Sequence, residues 1–222
     1  MGFKNDTRGG VYIKVIDGKF KIRVPEDTKG AVPRVLDAGP NSGDTIYELV
    51  YSSYEGHIKK AWIDKTGKYG ATFNLKMADS QDSVTITVPF SSRHAKKFFA
   101  VMDNINLDKQ VELSAFKIPK KDRDGKVVKD EYIHGWTVKQ QNEAVEFAIQ
   151  KEDIPEMVKV RLKGKDNWDD SAQLEFFEEK FNEWKEANFS EDDYEDKKTP
   201  SSKSKKDEDD SDSDDEEDDI PF

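Results

Sequence analysis

The 222-residue sequence contains no cysteine, only three histidines and four methionines. Without cysteine there is no disulfide framework, no thiolate zinc site and no thiol nucleophile. His57, His94 and His134 stand far apart, on separate expected elements, and read as surface or structural residues. No apolar run approaches the ~20 residues needed to span a bilayer, and no charged-apolar-small leader opens the chain. A soluble, cytoplasmic protein without membrane association is expected. The chain also lacks a Walker loop, a G-x-G-x-x-G after a strand, an H-E-x-x-H pair and an EF-hand loop. Carboxylates are numerous, but no pair stands out as acid and base. These absences predict no enzyme activity, no cofactor and no metal.

What is present is charge, unevenly placed. The formal net charge is −11. Residues 190–222 hold 16 acids and 5 bases, residues 166–189 hold 8 and 2, and residues 1–165 hold 23 and 29. A mildly basic domain of net +6 therefore precedes an acidic segment and an acidic tail. Because the acid is segregated, the low overall pI does not exclude binding to nucleic acid.

The pattern predicts a mainly β chain with two helices. Residues 1–10 are small and polar and read as flexible. Val11–Val24 alternates around Asp17-Gly18, a strong hairpin signal, with Lys14, Lys19, Lys21 and Arg23 along it. Residues 25–44, rich in Pro and Gly, read mostly as loop. Strands are expected at Ile46–Tyr54, at His57–Asp64 after a turn at Glu55-Gly56, at Ala71–Met77 and at Val84–Val88. A helix capped by Ser91 or Ser92 follows, with Ala95, Phe98, Phe99, Met102 and Ile105 on one face. Arg93, Lys96 and Lys97 fall on its other face and read as solvated. Further strands are expected around Val111–Phe116, Glu131–Lys139 and Ala144–Ile149. Asp170–Ala187 reads as a second, amphipathic helix whose stripe of Leu174, Phe177, Phe181 and Trp184 would pack on the domain or on another subunit. Residues 190–217 have almost no apolar content and are expected to be disordered.

The tail ends on Asp218-Asp219-Ile220-Pro221-Phe222. A solvated polyanion has no use for Ile-Pro-Phe, so this tip reads as bait for a partner's pocket, with two carboxylates ready to meet Lys or Arg. Asp-Asp-Ile-Pro-Phe after an acidic run resembles the tip of bacterial single-stranded DNA-binding proteins. The resemblance implies an OB-fold domain that holds DNA and a tip that recruits replication and repair enzymes. Strands, one helix, then more strands suits an OB-fold, a five-stranded partly open barrel with a helix between its third and fourth strands. The larger domain, the short charged linker and the extra helix at 170–187 look more like the single-stranded DNA-binding proteins of tailed bacteriophages. The compartment would then be the host cytoplasm, and the protein a monomer or a homo-oligomer. In this reading residues 11–165 form the DNA-binding domain, 166–189 the amphipathic helix and 190–222 the tail. The polyanion would also imitate DNA and occupy the empty groove.

Binding unpaired DNA needs cations along the phosphates and aromatic faces for the bases. Trp62, after Lys59 and Lys60, shares its strand face with Lys60 and Asp64 and is the first candidate platform; its alternative is a partly buried Trp at a sheet edge. Phe116, followed by Lys117, is the second. Trp136 lies with His134 and Val138, where core packing competes with stacking. Lys120, Lys121, Arg123, Lys126 and Lys129 surround Asp124-Gly125 in an expected hairpin loop that would clamp DNA. Two rivals stand beside this reading. One is an acidic-tailed chaperone of histone type, the other an OB-type module for RNA or protein.

Overall fold

The computed structural model describes residues 10–37, 41–80, 82–122, 124–162 and 165–190. The expectations for residues 1–9, for Arg123 and for the tail from residue 191 lie outside these. The described chain is mainly β with two helices, as expected.

β1 (Val11–Ile16) and β2 (Lys19–Val24) form the hairpin signalled by Asp17-Gly18. Both turn residues take positive φ, 54° and 68°, the conformation of a two-residue turn that follows strand twist. β3 (Val32–Val35) is a short strand inside the expected loop, and its edge position tolerates Pro33, which has no N–H to donate. β4 (Thr45–Tyr51) and β5 (Ser53–Asp64) break at Ser52, not at Glu55-Gly56. The chain runs extended through Gly56 because β6 passes close by: a Cβ there would lie 2.9 Å from the Ala78 carbonyl oxygen. β6 (Thr72–Ala78) and β7 (Ser83–Pro89) follow, with Phe73, Leu75, Met77, Val84, Ile86 and Val88 all buried.

β8 (Val111–Lys121) and β9 (Val127–Gln140) make a long hairpin. The strand expected at 144–149 shrinks to β10 (Glu143–Ala144). Beyond it the backbone turns towards the first helix, and the Ala148 and Ile149 amides both donate to the Ala100 carbonyl. β11 (Val158–Leu162) and β12 (Lys165–Asp169) form a separate two-stranded sheet that the sequence reading did not anticipate.

The other ten strands form one sheet, in the order β10-β9-β8-β5-β6-β7-β1-β2-β4-β3. Only β1 with β7 is parallel. The expected barrel is not formed, because no ladder joins β10 to β3. The first hairpin takes the position beside β7, and the sheet continues outward from it through β4 and β3. The sheet nevertheless curls until the tip of that hairpin meets β8. A Cβ on Gly18 would lie 2.4 Å from the Phe116 carbonyl carbon. Lys117 pairs with Asp17 at 2.9 Å, and the Lys19 ammonium donates to Ser52 Oγ at 2.9 Å.

α1 (Arg93–Val101) is capped by Ser92, whose Oγ accepts from the Ala95 amide. α2 (Ser171–Asn188) buries Phe177, Phe181 and Trp184, with Leu174 half-buried. That stripe packs on its own chain. Phe73 of β6 lies 5.1 Å from Phe98, 4.9 Å from Phe99 and 5.7 Å from Phe181, ring centre to ring centre.

Gly18→Ala tests the contact that curls the sheet. Its left-handed φ costs a side chain about 1–2 kcal/mol, and the collision with β8 adds about 1–3 kcal/mol of overpacking. Gly125, at φ 81° with nothing within 4 Å, bears only the first cost. Urea denaturation is expected to show Gly18→Ala destabilised well beyond Gly125→Ala. Equal losses would mean that the hairpin tip does not bear on β8.

Candidate nucleic-acid interface

The helices cover one face of the sheet, and period-two alternation turns a different set of side chains to the other. In β5, Ala61 and Ile63 face the core, so Lys60, Trp62 and Asp64 face away. The register aligns these with their neighbours. Trp62 stands opposite Asn74, Asn74 opposite Thr87, Thr87 opposite Lys14 and Lys14 opposite Lys21. The adjacent row runs Lys60, Lys76, Thr85 and Tyr12.

Within these rows the Lys60 ammonium lies 5.5 Å from the Trp62 ring centre, a cation–π contact that leaves the indole half-exposed. Asn74 is buried and fixed, accepting from Thr87 Oγ1 at 2.8 Å and donating to Thr72 Oγ1 at 3.2 Å. Among the described residues neither Lys14 nor Lys76 has a carboxylate partner. Lys21 lies 3.7 Å from Glu48. That carboxylate is gripped by Arg34 through two bonds of 2.8 Å, and this guanidinium holds its pKa below the usual carboxylate range. The face therefore offers an indole, the exposed Tyr12 phenol and several ammonium groups, which suits stacking and phosphate contact.

The other sequence candidates divide. Lys59 is exposed at a bulge in β5. Phe116 is half-buried, with its ring lying over Gly135, where a Cβ would come within 2.7 Å of Phe116 Cζ. Lys117 is held by Asp17 and sits 4.4 Å over the Tyr132 ring. Lys120 pairs with Glu131 at 2.5 Å, whereas Lys121 and Lys126 are exposed. Arg123 and the tip residues Asp218, Asp219, Ile220, Pro221 and Phe222 lie outside the described residues. Trp136 is corrected: it is 2% exposed and packs edge-on against His94, 5.2 Å between ring centres. Val138, two residues on along the same face of β9, is buried with it, and no indole face is open to a base.

The structure also separates two candidates that the sequence grouped. β8 pairs with β5 at Ser53–Gly56, so Phe116 and Trp62 belong to opposite ends of β5. The first hairpin connects the two regions, with Lys14 and Lys21 in the Trp62 row and its tip on Phe116. Lys14, Lys21, Lys76 and Tyr12 were not chosen from the sequence. The signal for Lys76 was available, since Thr72, Asn74 and Lys76 alternate with Phe73, Leu75 and Met77. Pairing Lys14 with that row required knowing the parallel β1–β7 contact.

Among the described residues no group of three or more His, Asp or Glu could hold a metal ion, and no helix is long and apolar enough to cross a membrane. Burial pushes the His94 imidazole down to about 4, with the charge of His134 adding to the effect. Unfolded, His94 regains an ordinary pKa near 6.5 and binds a proton that the fold excludes. Stability is therefore lost as pH falls from about 6.5 to 4. His94→Phe is expected to flatten that part of a plot of urea midpoint against pH, and an unchanged slope would remove the assignment. Comparison of this chain with family models, with curated proteins and with solved structures returns no match.

Proposed function

We propose that this protein binds single-stranded DNA without reading its sequence, and recruits DNA-processing enzymes through Asp218-Asp219-Ile220-Pro221-Phe222. The observation that carries the DNA reading is the row of Trp62, Lys14 and Lys21, with Lys60, Lys76 and Tyr12 beside it, on the sheet face away from the helices. Stacking on the indole holds any base, because every base has a π-face, and the ammonium groups follow the phosphates. β5–β9 support an OB-like reading: they are five strands with α1 between the third and fourth, to which the first hairpin is added beside β7. The acidic, apolar-ended motif supports the recruiting role. Coating of unpaired DNA in replication, recombination and repair is the activity this combination suits.

The test is a titration of fluorescein-labelled oligo-dT with the protein, followed by anisotropy at several salt concentrations. Trp62→Ala is expected to lose ~1–3 kcal/mol, roughly five- to 150-fold in affinity. The paired change Lys14→Ala and Lys76→Ala is expected to lower the slope of log affinity against log salt by about 1.4, since each phosphate contact to a single strand contributes about 0.7. Wild-type affinity in Trp62→Ala would sink the assignment of the face, and preference for an RNA oligomer over oligo-dT would redirect it to RNA.

Phe222→Ala separates the two roles. It is expected to abolish capture of DNA-processing enzymes, read by mass spectrometry of the retained proteins, and to leave oligo-dT affinity unchanged. Retained capture would favour the chaperone-like alternative, in which the polyanion alone recruits basic proteins.

A further inference from the structure

A second surface lies on the helix side of the sheet. A groove of about 900 Å³ opens between α1, α2, the segment after β10 and the β11–β12 hairpin. Its volume is that of a site for a compact ligand or a few peptide side chains. Its lining is largely apolar: Ala100, Ile154, Pro155, Met157, Phe177 and Trp168. Trp168 is 64% exposed, and Phe147, also in the lining, is 54% exposed. Isolated exposed apolar residues are ordinary, but several gathered on one concavity mark a surface that another molecule covers.

The rim is cationic. Arg93, Lys97 and Lys151 have no carboxylate partner among the described residues, while Lys96 is held by Asp170 at 2.7 Å. Glu156 is the one acidic residue in the lining. The Lys97 ammonium sits 3.5 Å from the Phe147 ring centre and is partly desolvated, which lowers its pKa. That contact bears on the occupant's chemistry. The ammonium takes one face of Phe147, while the aliphatic lining of Ile154, Pro155 and Met157 beside the exposed Trp168 suits an apolar peptide side chain. What stays open is an aliphatic-aromatic trough rimmed by Arg93, Lys97 and Lys151.

We propose that this groove docks an acidic peptide segment of a partner protein, with an apolar anchor side chain in the trough and carboxylates on Arg93, Lys97 and Lys151. The groove is separate from the Trp62 face and does not depend on the DNA reading. The anchor provides affinity by displacing water from Ile154, Met157 and Trp168. The cations select sequences with acidic residues around the anchor and speed encounter. Two interfaces that share no lining residue would let the protein hold nucleic acid and a partner at once.

The test uses the full chain and a short fluorescein-labelled peptide of Asp and Glu around a Leu-Phe pair, followed by anisotropy at low salt. Saturable micromolar binding is expected, weakened about tenfold or more when Leu-Phe becomes Ala-Ala, and similarly when the acids become Asn and Gln. The surface double change Arg93→Glu and Lys151→Glu is expected to weaken the peptide at least tenfold and to leave oligo-dT affinity within twofold. Met157→Gln, which makes the trough polar without changing the charge of the rim, is expected to weaken the peptide several-fold. Failure of the peptide to saturate, or equal binding of the Ala-Ala peptide, would overturn the proposal. Displacement of the peptide by oligo-dT, or a fall in oligo-dT affinity in the charge-reversed protein, would reassign the groove to nucleic acid.

Discussion

One ring in β6 organises the domain. Phe73 touches Phe98 and Phe99 of α1 and Phe181 of α2, so both helices are bound to the sheet through the same side chain. Trp184 extends the cluster to Phe98, and Phe177 extends it to Phe99. Edge and tilted aromatic contacts each contribute about 0.5–1.5 kcal/mol beyond burial, and here they converge. The consequence for function is positional. Once Phe73, Leu75, Ile63 and Ala61 are committed to the helix side, alternation leaves Trp62, Asn74, Lys60 and Lys76 no place except the opposite face. An indole there is available to a ligand because the core is already filled.

Elements defined by local chemistry were legible in the sequence. Asp17-Gly18 set the first turn, Ser92 set the start of α1, and the Phe177-Phe181-Trp184 spacing set the buried stripe of α2. What was not legible depended on partners distant in the chain. Gly56 looks like a turn residue until β6 is placed against it, and then its missing side chain is a matter of space. The backbone after β10 has the alternation of a strand, but its amides find the Ala100 carbonyl before they find a sheet edge. A parallel β1–β7 pairing leaves no local mark, yet it keeps the sheet open and brings Lys14 into line with Trp62. Trp136 and Trp62 both lie on strands among mixed polar and apolar residues, and the packing of each strand on its neighbours sends one inward and leaves the other half-exposed.

Electrostatics refines where phosphate could be held. By composition the β8–β9 hairpin loop is the most cationic part of the domain, which made it the natural clamp. In place, much of that charge is already answered: Lys117 by Asp17 and Lys120 by Glu131, while the Asp122 carboxylate accepts the Asp124 and Lys126 amides that shape the turn. Exposed pairs of this kind contribute roughly 0–1 kcal/mol to folding. Their larger effect is on binding, because a lysine already neutralised by a carboxylate has less charge to offer a phosphate and would displace fewer of the cations condensed on a nucleic acid. Lys14 and Lys76 have no such neighbour among the described residues, and each lies in a row with an aromatic ring. The number of lysines in a segment therefore misjudges its role. The local balance of charge, set by which strands become neighbours, leaves Lys14 and Lys76 unanswered on the sheet and, among the described residues of the β8–β9 hairpin, Lys121, Lys126 and Lys129.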